Sequence, residues 1–243
     1  MPYEYSIVNG NVSLHVVATM PPGSGRIAVA IVPGLSETAD DWHELLEFLA
    51  PMPADAVTLR GRGKSTTPET GYSLADHASD VAGFVEHFQA ESIVLVAFSR
   101  SVSYALEYAM SRPEKLSRLV LLDYPPKHGA LPENWADAFA ESTWRSRKAS
   151  SIASLPTLRA IGREADPKDF TPYLSSIPVP TLVLRGGMPG AALSADGAAV
   201  YGRSLPRCSL AVLPKSAHAL WEPTPSELYE RIASFAREPA SEA

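Results

Sequence analysis

The chain has one cysteine, Cys208, among 243 residues. No disulfide can close within it, and no cysteine-based zinc site can be built. Long apolar runs are also missing, since stretches such as residues 27–32 and 93–98 fall far short of the roughly 20 residues that cross a bilayer. A surplus of positive charge is absent: 21 Lys and Arg against 27 Asp and Glu leave a net charge of −6. No basic run supplies the phosphate-tracking surface that nucleic acid requires. Internal repeats and low-complexity tracts are lacking, which excludes solenoid, fibrous and disordered classes. The first residues, Met1-Pro2-Tyr3-Glu4, carry no basic stretch followed by an apolar one. These absences lead us to expect a cytoplasmic protein that meets neither nucleic acid nor membrane and holds no metal.

What is present is a composition of 45% hydrophobic and 20% charged residues, suited to one compact domain with a sizeable core. Residues 5–8 and 11–18 are β-rich and flank Asn9-Gly10, a pair that suits the two positive-φ positions of a type I′ hairpin turn. Pro21, Pro22, Gly23 and Gly25 then break the chain. A repeating unit follows in which an apolar strand leads to an amphipathic helix: 27–32 with 42–49, 56–59 with 74–88, and 93–98 with 102–110. Strands without polar alternation are covered on both faces. Further strands at 119–122, 181–184 and 209–213 continue the rhythm, which predicts an α/β fold with a doubly wound, mostly parallel sheet. Thr224-Pro225-Ser226-Glu227 reads as a capping box with proline at the first helical position, opening a C-terminal helix. Residues 125–177 break the rhythm with Trp135, Phe139, Trp144, Leu155, Leu158 and Tyr173 in helical-looking stretches. The expected organisation is a core of residues 1–124 and 178–243 with a helical lid inserted at 125–177, and a loose tail from residue 238.

Val96-Ala97-Phe98-Ser99-Arg100-Ser101-Val102 lies where an apolar strand turns into a helix, the setting of the nucleophile turn written G-x-S-x-G. Ala97 and Ser101 replace the glycines; both are small enough for the close approach of strand and helix. Taken alone, Ser99 could equally be a helix N-cap. A serine nucleophile needs a base, and His218 lies in the loop between the last strand and the capped helix, at the sheet edge where open α/β folds bind ligands. The other histidines, at 15, 43, 77, 87 and 128, read as surface or satisfied core residues.

Together these motifs resemble the α/β-hydrolase superfamily over almost the whole chain. Ile31-Val32-Pro33-Gly34-Leu35 resembles its His-Gly oxyanion loop, with Pro33 in place of the histidine. Leu59-Arg60-Gly61-Arg62-Gly63-Lys64-Ser65 resembles its D-x-R-G-x-G-x-S loop, and the elbow at Ser99 and terminal His218 follow in order. The resemblance implies the backbone amides of Leu35 and Arg100 as an oxyanion hole. The family usually places the orienting acid after the strand at 181–184, but residues 185–193 contain no carboxylate. Asp123, directly after the strand at 119–122, is the preferred candidate, because it should stand one strand from Ser99. Asp196 reads as a charge in the first turn of a helix. Arg100 reads as a surface guanidinium or one paired with a carboxylate, with recognition of an anionic substrate as the sharper alternative. Trp42, Tyr104, Trp135 and Trp221 are candidate pocket walls.

Two motifs fail on context. Gly61 to Ser65 ends like a phosphate loop, but Thr58 stands where its first glycine belongs and Pro68 follows. Gly23-Ser24-Gly25-Arg26-Ile27-Ala28 matches a dinucleotide fingerprint by letters but precedes a strand. No nucleotide cofactor is expected. The expected function is a cofactor-independent serine hydrolase for a small ester, lactone or thioester, with Ser99, His218 and Asp123 as its triad. An amide hydrolase, or a non-catalytic ligand-binding protein on the same fold, are the alternatives.

Overall fold

A computed structural model describes residues 3–20, 27–88 and 90–238. Strands β1 (Tyr3–Asn9) and β2 (Val12–Ala18) form the expected antiparallel hairpin, with Asn9 opposite Val12. Its two turn residues are therefore Gly10 and Asn11, and of these Gly10 alone has positive φ, 61°. That is the pattern of a type II′ turn, so the turn expected at Asn9-Gly10 shifts by one residue. The proline and glycine breakers at 21–25, the glycines of the dinucleotide-like pattern and the tail beyond 238 fall outside the described residues.

Alternation then follows as β3 (Ile27–Val32), α1 (His43–Leu49), β4 (Ala54–Val57), α2 (Leu74–His87), β5 (Ser92–Phe98), α3 (Ser101–Ser111) and β6 (Leu116–Leu122). Strand β4 lies two residues earlier than the hydrophobic pattern suggests, and Thr58, just beyond it, still donates its amide to the His15 carbonyl of β2. The next stretch holds β7 (Lys127–His128), α4 (Trp135–Glu141), β8 (Thr143–Trp144), β9 (Arg147–Lys148), α5 (Leu155–Arg163) and β10 (Lys168–Asp169). The two-residue strands pair as β7 with β10 and β8 with β9, both antiparallel. Strand β11 (Thr181–Gly186), α6 (Ala195–Ser204), β12 (Cys208–Leu213) and α7 (Pro225–Arg237) complete the chain.

The main sheet runs β1-β2-β4-β3-β5-β6-β11-β12, parallel from β4 onward. Alternate residues of each central strand enter different cores: Ala30, Leu95 and Ala97 pack with α2 and α3, while Ile31, Val96 and Phe98 pack with α1 and α7. Burial on both faces explains why these strands carry no polar alternation. Helix α7 begins at Pro225 as expected, but the Thr224 side chain makes no capping bond. Proline, with its φ preset for a helix, marks that boundary in place of a capping box. Among the described residues, no helix is long and apolar enough to cross a membrane.

Candidate active site

The site forms where parallel strands end. Ser99 follows β5 and Asp123 follows β6; the two strand ends are in register, with Phe98 opposite Leu122. The Ser99 amide donates to the Leu122 carbonyl at 2.9 Å, and the Asp123 amide donates to Leu184 in β11 at 2.8 Å. Both residues have left-handed backbones, φ 55° and 48°. Such conformations are costly for residues with a Cβ and persist where surrounding structure imposes them.

His218 reaches this point from the loop after β12 by folding over the end of β11. A Cβ at Gly186 would lie 2.3 Å from the Ala217 carbonyl oxygen, so only glycine permits the crossing. The His218 ring stacks on Phe98, with centroids 4.8 Å apart. Its Nδ1 donates to Asp123 Oδ2 at 2.8 Å, and its Nε2 lies 2.9 Å from Ser99 Oγ. An ionised carboxylate only accepts, which places the proton on Nδ1 and leaves Nε2 free to accept from the serine hydroxyl.

Asp123 is fully buried and accepts further bonds from the amides of Gly186, Ala192 and Leu193 at 3.1, 2.7 and 3.3 Å. The end of β11 and the loop after it, which contain no carboxylate, thus cradle the one that follows the neighbouring strand β6. Asp196 is exposed in the first turn of α6, where Ser194 caps the helix.

The elbow tolerates its altered glycines because both replacements fit. Ala97 is buried in the sheet, and Ser101 donates its hydroxyl to the Pro33 carbonyl at 2.5 Å, tying elbow to oxyanion loop. Leu35 and Arg100 border the same cavity as Ser99, and among the described residues neither amide has a protein acceptor. The Leu35 carbonyl accepts from the buried Arg62 Nε at 3.1 Å, so the R-G-R-G segment supports the oxyanion loop from below.

One participant has no counterpart in the motifs. Glu37 borders the cavity with its carboxylate fully buried, and four donors converge on it. Gly34 N and Trp42 Nε1 donate to Oε2 at 2.9 and 3.1 Å; Trp144 Nε1 and Arg145 Nε donate to Oε1 at 2.9 and 2.7 Å. Trp144 and Arg145 belong to the β8–β9 hairpin, so this carboxylate joins the oxyanion loop to the inserted segment. An acidic residue three positions after Gly34, within Leu35-Ser36-Glu37-Thr38, is the available sequence signal.

The cavity has a volume of about 240 Å³. The inserted segment contributes Leu131, Trp135, Phe139 and Trp144 to its wall, and the core contributes Phe98 and Tyr124. Of the four aromatics expected there, Trp135 lines it. Trp42 is spent on Glu37 beneath the oxyanion loop, Tyr104 is buried and stacked on His77 at 4.4 Å, and Trp221 packs behind Phe98 and Trp144 under the Arg145 guanidinium. Arg100 also departs from expectation. It is 4% exposed and bonds no carboxylate among the described residues, donating instead to His128 and the Gly129 carbonyl.

The family model for the α/β-hydrolase fold matches residues 27–187, and the chain belongs to that family. It is similar to 2-(acetamidomethylene)succinate hydrolase of Mesorhizobium japonicum, at 26% identity over 219 residues, covering 74% of this chain and 77% of the relative. N-formylmaleamate deformylase of Pseudomonas putida is 29% identical over 147 residues, covering 56% and 55%. In structure, the chain resembles an esterase from Exiguobacterium antarcticum with a TM-score of 0.78, at 20% identity and with 98% and 100% of the two chains covered.

Proposed function

We propose that the protein is a cofactor-independent serine hydrolase that cleaves a small ester, lactone or thioester through an acyl-enzyme on Ser99. The observation that carries this reading is the continuous relay from Ser99 Oγ to His218 Nε2, at 2.9 Å, and from His218 Nδ1 to Asp123 Oδ2, at 2.8 Å. Ser99 attacks the carbonyl while His218 takes its proton, and the Leu35 and Arg100 amides stabilise the oxyanion. Collapse of the tetrahedral intermediate breaks the bond to the leaving group, which takes the proton back from His218. Water, deprotonated by the same imidazole, then attacks the acyl-enzyme and releases the acid. Asp123 holds the histidine tautomer throughout and stabilises the imidazolium.

Residues 125–177 act as a lid in this reading, excluding water and shaping the acyl pocket with Leu131, Trp135, Phe139 and Trp144. Cleavage of an amide is the second reading. It is favoured by the two relatives named for an acetamidomethylene compound and for a formyl amide, and it uses the same relay with an amine leaving. The test is a fluorophosphonate probe with mass-spectrometric mapping of the labelled residue, because only an activated serine reacts. Labelling at Ser99 that disappears in His218→Ala is expected; an unlabelled, folded protein refutes the reading.

A further inference from the structure

Arg100 directly follows the nucleophile and borders the Ser99 cavity, yet it is 4% exposed. A guanidinium remains protonated throughout the range in which proteins function, so a full positive charge has been withdrawn from water beside the reaction centre. Its protein acceptors are neutral. Nη2 donates to His128 Nε2 at 2.9 Å and to the Gly129 carbonyl at 3.0 Å. Burial, reinforced by Arg100, pushes the His128 imidazole down to about 3, consistent with an uncharged ring that accepts from the guanidinium. The imidazole proton then sits on Nδ1 and is donated to Ser103 Oγ at 2.9 Å, and the Ser103 hydroxyl donates to the Arg100 carbonyl at 2.7 Å. This ring fixes the arginine at both ends without neutralising it.

Arg100 Nε is buried with no acceptor, and among the described residues no carboxylate forms an ion pair with this guanidinium. Neighbouring guanidiniums are treated differently: Arg60 pairs with Asp80 and Arg145 with Glu37, each at 2.7 Å. Arg62, buried as well, is also held by neutral acceptors, the Leu35 and Arg60 carbonyls and His77, and its Nη2 has no partner. Unpaired buried charge is expensive. Here two such charges flank Tyr104, whose ring stacks on His77 and approaches His128, and the residue that carries one of them, Arg100, borders the cavity.

We propose that Arg100 is an anion-recognition residue and that its missing partner is a carboxylate carried on the acyl part of the substrate. The protein would then act on the monoacyl derivative of a dicarboxylic acid. This rests on the serine-hydrolase reading: the leaving group faces His218, which returns its proton, and the acyl chain is directed toward Arg100.

The test compares kcat/KM for 4-nitrophenyl hemisuccinate and its neutral near-isostere 4-nitrophenyl pentanoate, each corrected for spontaneous hydrolysis, in the wild type and in Arg100→Met. Hydrogen bonds between charged groups predict a wild-type preference for the anionic ester of about 10- to 100-fold, and this ratio should collapse in the variant. A preference for the pentanoate, or a ratio unchanged in the variant, overturns the proposal. Competitive inhibition of wild-type pentanoate turnover by succinate, at ionic strength matched with chloride, needs no variant and decides the matter if Arg100→Met does not fold; its absence counts against the subsite. Ser99-dependent turnover without anion preference sinks the Arg100 subsite alone. No turnover of either ester, with Ser99 unlabelled by fluorophosphonate, overturns the hydrolase reading and this proposal with it.

Discussion

Two of the three relay residues, Ser99 and Asp123, adopt backbone conformations that side chains normally avoid. Their strain is held by adjoining strands and by the bonds of Asp123 to three amides. Removing the serine oxygen leaves that framework intact, so Ser99→Ala should fold normally and lose on the order of 10⁴- to 10⁶-fold in turnover. A folded variant that keeps most of its activity would exclude Ser99 as nucleophile. Asp123→Asn places an amide against His218 Nδ1 and favours the wrong tautomer, with an expected loss of about 10⁴-fold. Asp196→Asn removes the same charge from an exposed helix start and should cost a few tenths of a kcal/mol in stability, roughly, with little change in rate. Kinetics on both, with circular dichroism as the folding check, separates the two acids. Ser99 and His218 are legible because their motifs are local. Asp123 is legible because a strand end fixes its position, whereas the amides that hold it come from the end of β11 and the loop after it, some 60 to 70 residues later, and leave no local mark.

Elements of different length differ in how clearly the sequence announces them. Strands buried on both faces, such as β3 and β5, appear as apolar runs, and α2 appears through its periodicity. The β8–β9 hairpin leaves no such trace: its strands are two residues long, and the positive-φ positions of its turn are Arg145 and Ser146 instead of Asn-Gly. Sequence proximity to a motif also fails to fix the layer in which a side chain lies, which is why Trp42, Tyr104 and Trp221 stand behind the cavity wall. The hairpin nevertheless supplies Trp144 and Arg145 to Glu37, and through Glu37 bears on Gly34 of the oxyanion loop. Glu37→Gln keeps one acceptor oxygen but leaves the Arg145 guanidinium without its anion. We expect this variant to lose about 1–3 kcal/mol of stability. Its kcat should fall more than its KM rises, because the loop that carries the proposed oxyanion donor, the Leu35 amide, is loosened. A stability loss with unchanged kcat would mean that the carboxylate fastens the hairpin without bearing on the chemistry.

At the scale of the molecule, the alternation of strands and helices is enough to foretell a doubly wound sheet, and the site assembles from the ends of β3, β5, β6, β11 and β12. The same sheet buries a carboxylate away from that edge. Asp55 in β4, between Ala18 of β2 and Ala30 of β3, is 6% exposed and accepts the Tyr5 hydroxyl at 2.5 Å. Burial raises its pKa from 3.8 to about 6, against the lowering effect of the Tyr5 bond. The folded state therefore binds this proton more tightly than the unfolded chain, so the contribution of Asp55 to stability is greatest below about pH 4 and declines as pH rises to about 6. Asparagine can still accept the Tyr5 hydroxyl and has no charge to bury. Asp55→Asn should accordingly match the wild type near pH 4 and exceed it by on the order of 2–3 kcal/mol at pH 7. Taking the difference between the two proteins cancels the titration of every other group. Urea denaturation of both at pH 4, 5, 6 and 7 measures it directly. A difference that stays constant with pH would show that Asp55 titrates alike in the folded and unfolded chains, and that the Tyr5 bond fully offsets its burial.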